Sequence, residues 1–184
     1  RTPPAWAEAA LSDRAALLLD HRFCESKAAA MAHALARRHG EKLPAIVPLM
    51  RALAAEEDEH TLLCDRLLRE LGGARRPHHG NPYVNELRLA GHRLGGGFLE
   101  HLLVAGTIEA RSCERFRLLA DACRGGPLGA FYEDLFASEA RHHALFVNLA
   151  VELFGEKRAL AKLEKLTAAE AAIIAARPWG PHIH

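Results

Sequence analysis

The sequence predicts an all-α fold, a four-helix bundle with one long crossover, on three observations. Apolar residues recur at helical spacing through four long segments, and no segment alternates with the period of two that a strand requires. Gly and Pro residues break the chain where these segments end. The composition, 49% apolar and only 6% aromatic, is rich in residues that favour helices. The 184 residues are interpreted as one domain, with a bundle core over 12–154 and C-terminal helices over 156–176.

Each helix is predicted from its own start and stop signals. Ser12-Asp13 caps the first long helix, Pro44 suits the first turn of the second, and Pro48 is expected to bend that helix near its start. The motif Thr167–Glu170 predicts a capping box that starts a separate last helix. The predicted helices cover residues 12–38, 44–71, 82–92, 98–123, 128–154, 156–166 and 167–176. Short turns join the long helices in two pairs, and the crossover connects the pairs.

Charge, hydropathy and cysteine spacing exclude several classes of protein. No apolar stretch approaches the roughly 20 residues of a membrane span, so we expect a soluble protein that does not bind membranes. The four cysteines form no Cys-x-x-Cys pair, which argues against zinc knuckles, rubredoxin-like sites and redox dithiols. Isolated cysteines in helical patterns are typical of a reducing compartment, and the cytoplasm is the expected location.

Two Glu-x-x-His motifs, Glu57–His60 and Glu139–His142, lie within the second and fourth long helices. Such a motif is weak alone, but each Glu lies in an apolar stripe of its helix. A lone carboxylate in such a stripe costs several kcal/mol unless it is paired or binds a cation. A positive charge is therefore expected beside each of them.

The preceding helix of each pair contains a further carboxylate in an apolar stripe. Glu25 precedes Glu57 by 32 residues and Glu109 precedes Glu139 by 30, which indicates a degenerate internal duplication. Inside one bundle, four carboxylates and two imidazoles make the ligand set of a di-iron or di-manganese centre, in which Glu57 and Glu139 would bridge the ions. The predicted metal ligands are Glu25, Glu57, His60, Glu109, Glu139 and His142.

Two alternatives to this ligand set follow from neighbouring residues. The buried carboxylates could instead pair with the arginines of the same helices, namely Arg22, Arg111, Arg115 and Arg141. Glu100 and Glu114 compete with Glu109 for its place. Glu109 is preferred because Glu114 has a polar face and Glu100 lies half a turn out of phase.

Three segments closely resemble the tRNA hydroxylase family that acts on methylthio-isopentenyl-adenosine: CESKAA at 24–29, IEARSCERF at 108–116 and SEARH at 138–142. The resemblance covers about residues 11–150 and is weaker over 75–89 and after 154. It implies a ferritin-like, non-haem di-iron monooxygenase that uses O₂ and two electrons to hydroxylate the isopentenyl group of the adenosine beside the anticodon. It also implies two iron ions on the six residues named above. Beyond these ligands, no catalytic acid or base stands out in the sequence. An electron-transfer protein or reductase would supply the electrons to a monomer or dimer.

Residues that contact the substrate are less well defined by the sequence. Small side chains could line a pocket for the prenyl chain or only let helices pack closely, and Cys24, Cys64 and Cys113 are the cysteines among them. The net charge of +1 gives no overall attraction for a polyanion, so local basic clusters would have to bind tRNA. The candidates are Arg37, Arg38, Arg75, Arg76, Arg88 and Arg93. The alternative for each is solvated surface charge.

Other functions use overlapping features. A ferritin-like ferroxidase or iron-binding protein, or a di-iron oxidase with another substrate, needs the same ligands. A peroxidase of the rubrerythrin kind is usually served by a rubredoxin-type cysteine site, and a metal-free helical binding module needs no iron. The tail with His182 and His184 could suggest a third metal site, but it is expected to be frayed.

Overall fold

The computed structural model describes residues 1–74 and 80–184, and within these ranges the chain contains helices and no strand. The predicted tRNA contacts Arg75 and Arg76 lie outside the described residues. The helices are α1 (Ala5–Ala10), a 3₁₀ turn (Leu11–Asp13), α2 (Arg14–His39), α3 (Ile46–Glu70), α4 (Pro82–Arg93), α5 (Phe98–Ala122), α6 (Pro127–Phe154) and α7 (Glu156–Ala175). In the described part of the chain, no helix is both long enough and apolar enough to span a bilayer.

The chain divides into two compact units, each built on a helical hairpin. The α2–α3 unit comprises the described residues between Ala9 and His79, together with 180–183. The α5–α6 unit comprises residues 1–8, 80–179 and 184. Each hairpin corresponds to one half of the predicted internal duplication.

In the α2–α3 unit, the capping prediction for the first long helix is confirmed, because Asp13 accepts the backbone N–H of Ala16 at 2.9 Å. The second helix begins at Ile46, so Pro48 falls in the first turn of α3. No intrahelical hydrogen bond is sacrificed there, since the first four N–H groups of a helix have none. Across the hairpin, Arg22 Nε donates to Asp65 Oδ1 at 2.6 Å.

In the α5–α6 unit, α4 and α7 pack on the hairpin. A glycine lets α5 and α6 approach closely, because a Cβ on Gly106 would lie 3.3 Å from the Cβ of Phe146. Between the two helices, the rings of Phe116 and Tyr132 are 5.4 Å apart. The predicted ligands of this unit therefore lie on a tightly packed pair of helices.

The prediction of two short C-terminal helices is wrong, because residues 156–175 form the single helix α7. Gly155, with φ +83°, provides the break between α6 and α7. No Gly or Pro follows before residue 176, so the helix continues through Thr167 once it has formed. Glu170, expected as part of a cap, is instead buried against α5.

The ends of the described chain are more ordered than the sequence predicts. Trp6, in the unpredicted helix α1, is fully buried under the guanidinium of Arg115, at 4.6 Å. His184 stacks on Tyr83 with ring centroids 4.9 Å apart, and its Nε2 lies 3.2 Å from Ser112 Oγ. The expectation of a frayed tail is therefore wrong, because aromatic burial and a hydrogen bond hold its last residue.

Candidate metal centre

The α2–α3 unit brings its three predicted ligands together. Glu25 on α2 and Glu57 and His60 on α3 each offer a donor atom, and these atoms lie within 4.8 Å of one another. His60 Nδ1 is 3.5 Å from Glu25 Oε2 and 3.5 Å from Glu57 Oε2. The i,i+3 spacing of Glu57 and His60 puts both side chains on the same face of α3. The hairpin therefore converts three separate sequence positions into one cluster of two carboxylates and one imidazole.

The α5–α6 unit repeats this arrangement. Donor atoms of Glu109 on α5 and of Glu139 and His142 on α6 also lie within 4.8 Å of one another. His142 Nδ1 is 3.7 Å from Glu139 Oε2. In the two clusters together, all six residues are between 1% and 7% exposed. Each unit by itself therefore holds a buried set of two carboxylates and one imidazole.

The electrostatics of the α2–α3 cluster favour a positive charge. Burial raises the pKa of Glu25, but hydrogen bonds with Glu57, His21 and His60 outweigh it and hold the pKa well below its usual value. Burial lowers the pKa of His60, yet hydrogen bonds and charge from Glu25 and Glu57 raise it to about 9. The same buried oxygen and nitrogen donors could hold a metal cation.

Two of the four arginines that could have paired with the clustered carboxylates bind other carboxylates instead. Arg22 pairs with Asp65. Arg111 binds Glu170 through Nε at 2.7 Å and Nη2 at 2.7 Å, and it also pairs with Glu114. Both guanidinium groups are thus engaged with carboxylates outside the two clusters.

Both competitors of Glu109 have structural roles. Glu114 accepts the backbone N–H of Thr2 at 3.0 Å and its hydroxyl at 2.7 Å. Glu100 accepts the N–H of Gly97 at 2.9 Å at the start of α5 and pairs with Lys162. Of the three glutamates on α5, Glu109 is the one that lies in a donor cluster.

The predicted substrate contacts lie in several environments. Cys64 is fully buried, and burial is the main cause that raises the pKa of its thiol. Cys24 and Cys113 are half-buried, and Cys113 Sγ lies 3.8 Å from the carbonyl oxygen of Phe136. The arginines among the described candidates are all exposed: Arg37 and Arg38 at the end of α2, and Arg88 and Arg93 on α4.

Sequence reasoning missed two residues near these candidates. His21 is fully buried, and its Nε2 lies 2.5 Å from Glu25 Oε1. The i,i+4 spacing of the two residues was the available signal. Arg51 on α3 shares a cleft of about 290 Å³ with Arg37, His33 and Glu41. No local motif links Arg51 to Arg37, because the hairpin turn brings them together.

Comparisons with known proteins identify the family of this chain. The model of the tRNA-(MS[2]IO[6]A)-hydroxylase (MiaE) family matches residues 1–184. The chain is 38% identical, over 94% of its length and 84% of the relative, to the tRNA 2-(methylsulfanyl)-N(6)-isopentenyladenosine(37) hydroxylase of Pseudomonas putida.

Among solved structures, the chain is similar to a protein from Synechococcus described as having aldehyde deformylating oxygenase activity, with a TM-score of 0.87 and 33% identity. The match covers 98% of this chain and 91% of that one. It confirms the predicted all-α, ferritin-like fold class. The chain belongs to the tRNA-(MS[2]IO[6]A)-hydroxylase family, and it is an enzyme of that hydroxylase class.

Proposed function

We propose that this protein is an O₂-dependent, non-haem di-iron monooxygenase that hydroxylates the isopentenyl group of 2-methylthio-N6-isopentenyladenosine next to the anticodon in tRNA. The observation that carries the proposal is the repeated donor cluster, two carboxylates and one imidazole within 4.8 Å in each hairpin. The names of the family and of the Pseudomonas putida relative support the substrate. An external electron-transfer protein or reductase is part of the proposal.

The residues present fit two iron ions. We assign one ion to Glu25, Glu57 and His60 and the other to Glu109, Glu139 and His142. Carboxylate and imidazole donors suit iron, whereas zinc and iron–sulfur sites in proteins often use thiolates. Burial, together with the charge of Glu25, raises the pKa of the Cys64 thiol and so keeps its sulfur protonated. When bound, the iron ions supply the redox chemistry with O₂ that hydroxylation of a C–H bond requires.

The chain contributes orientation and exclusion of water. The donor side chains are buried on helices, so each is held in place by the packing of its hairpin. Cys64 is fully buried, which favours its packing role, while the half-buried Cys24 and Cys113 remain candidates for the prenyl pocket. A dry, apolar surrounding protects a reactive centre from side reactions.

Hydroxylation of defined tRNA tests the proposed function directly. The protein is loaded with Fe(II) without oxygen, and O₂ and a chemical reductant are then added to tRNA that contains or lacks the prenylated adenosine. We expect the prenylated nucleoside to gain one oxygen atom derived from O₂, as read by mass spectrometry with labelled gas. Iron oxidation without a nucleoside product would instead favour the ferroxidase, or an oxidase with another substrate.

For tRNA binding, we propose the cleft at the turn between α2 and α3. Arg37 and Arg51 line it, with Glu41 as its one carboxylate, and Arg38 and Lys42 are exposed nearby in the chain. The described structure shows no ion pair that engages Arg37 or Arg51. Cations without protein partners are available to phosphate groups, and the binding energy comes largely from counterion release.

Removal of these two charges is expected to weaken tRNA binding. Log affinity decreases linearly with log salt concentration. In the variant R37Q/R51Q this slope should become less steep by about two, roughly one for each phosphate group that is no longer neutralised. R14Q, at the other end of α2, is the control and should bind like the wild type. Fluorescence titration of labelled tRNA at several salt concentrations gives the slopes. If R37Q/R51Q bound tRNA like the wild type and R88Q/R93Q bound it more weakly, the proposed cleft would be wrong and the interface would lie on α4.

A further inference from the structure

We infer that His143 is a positioning residue that sets the spacing and register of α5 and α6 at the proposed metal site of the α5–α6 unit. The inference rests on the proposed function, because it concerns one of the two proposed ion sites. His143 directly follows the proposed ligand His142 on α6 and is half-buried. It is not itself a donor of the cluster on this hairpin.

His143 forms a hydrogen bond with the backbone of the opposite helix. Its Nδ1 lies 2.7 Å from the carbonyl oxygen of Gly106 on α5. A carbonyl oxygen can only accept, so Nδ1 carries the hydrogen and donates it. The acceptor is a main-chain atom, which moves only with its helix, whereas a side-chain acceptor could move by a change of rotamer. His143 therefore ties one point of α6 to one point of α5.

Both ends of this hydrogen bond lie one turn from proposed ligands. His143 follows Glu139 by four residues, and Gly106 precedes Glu109 by three. Residues at these spacings lie on the same face of a helix. A slide or rotation of one helix along the other would stretch the hydrogen bond and would also change the distance between Glu109 and Glu139. The contact thus fixes the spacing of two carboxylates that belong to different helices.

The glycine lets the two helices approach closely enough for this contact. A Cβ on Gly106 would lie 3.3 Å from the Cβ of Phe146 and 3.7 Å from His143 Nδ1. The first distance is shorter than an ordinary contact between carbon atoms, so α5 and α6 would have to move apart by a few tenths of an ångström. Metal–ligand distances in proteins vary by only about 0.2 Å. A shift of this size should therefore weaken the binding of an ion held by both helices.

Anaerobic titration with Co(II), followed by its visible absorption, tests this inference without an activity assay. Wild-type protein should bind two ions per chain. H143L, which retains apolar volume but no N–H donor, should bind one of the two ions about tenfold more weakly. Residues that support a ligand are worth about 10–100-fold in metal affinity, and the lower value is expected because His143 acts through the backbone. The weakened ion should be the one that E139Q loses.

Two further variants separate positioning from general stability. The amide of H143N places an N–H donor close to the position of Nδ1, so most of the affinity should return. G106A retains His143 but moves the helices apart, and it should weaken the same ion. Alanine favours a helix more than glycine does, so this variant should fold. N148A, at an exposed position of α6, is the control and should bind both ions like the wild type.

The outcomes separate this inference from the proposed function. No Co(II) binding by the wild type would overturn both. Wild-type affinities for both ions in H143L, or equal weakening of both, would overturn only the role of His143, even if thermal unfolding showed a loss of stability. Should H143L not fold, G106A decides. Wild-type affinities in G106A would contradict the inference, and weaker binding of the ion that E139Q loses would support it.

Discussion

Replacement of Glu57 or Glu139 by Gln is expected to lower iron binding from about two ions per chain to no more than one. Each is only 1% exposed, and each is a proposed ligand of its own cluster. Gln retains the shape of the side chain but removes the charge and one carboxylate oxygen. Because even residues that only support a ligand are worth about 10–100-fold in metal affinity, loss of a ligand should cost more than about a hundredfold. Iron content per chain, measured after anaerobic loading and desalting, gives the result.

The matched control is E59Q, an exposed carboxylate on the same helix as Glu57. It should retain two ions per chain. If arginine pairing rather than metal explained the buried carboxylates, E57Q would bind as much metal as the wild type. It would also unfold more easily, because loss of one partner of a buried pair costs about 3–5 kcal/mol. That combination would contradict the di-iron proposal.

Replacement of Arg111 by Met is expected to lower the free energy of unfolding by about 3–5 kcal/mol. Arg111 binds both oxygens of Glu170 at 2.7 Å, and its Nη1 donates to Thr2 Oγ1 at 2.8 Å. Glu170 is 3% exposed, so the variant leaves a buried carboxylate with Tyr83 as its hydrogen-bond donor at 3.2 Å. Since each kcal/mol lowers the melting temperature of a chain of this size by about 2–4 °C, the loss should exceed about 6 °C.

Urea titration measures the change in unfolding free energy, and R124M is its control. Arg124 pairs with Asp121 at 2.6 Å, but its side chain is 78% exposed. Exposed pairs contribute at most about 1 kcal/mol, so R124M should unfold almost like the wild type. The double variant R111M/E170L removes both charges and should recover much of the stability. An R111M variant within about 1 kcal/mol of the wild type would show that the network is not structurally important.

Residues at the helix ends were sufficient to predict the limits of most of the helices. The limits of α2, α5 and α6 follow the prediction closely, because Asp13, Gly97 and Gly126 act on their own neighbours. The division of residues 156–176 into two helices failed for the opposite reason. The capping preference at Thr167 is a local effect that helix propagation and the burial of Glu170 against Arg111 override.

The sequence by itself indicated the six proposed ligands, because a charge in an apolar stripe is costly to bury and therefore stands out. The sequence favoured Glu109 over its neighbours, but only the tertiary structure showed what Glu114 and Glu100 bind, since their partners Thr2 and Lys162 are distant from them in the chain. The tertiary structure also showed the contact of His21 with Glu25, because the ring of His21 could have faced any direction until packing oriented it. The helical period and the cost of burying a charge depend on residues that are close in the sequence. The partner of a buried polar group depends instead on which helices pack together.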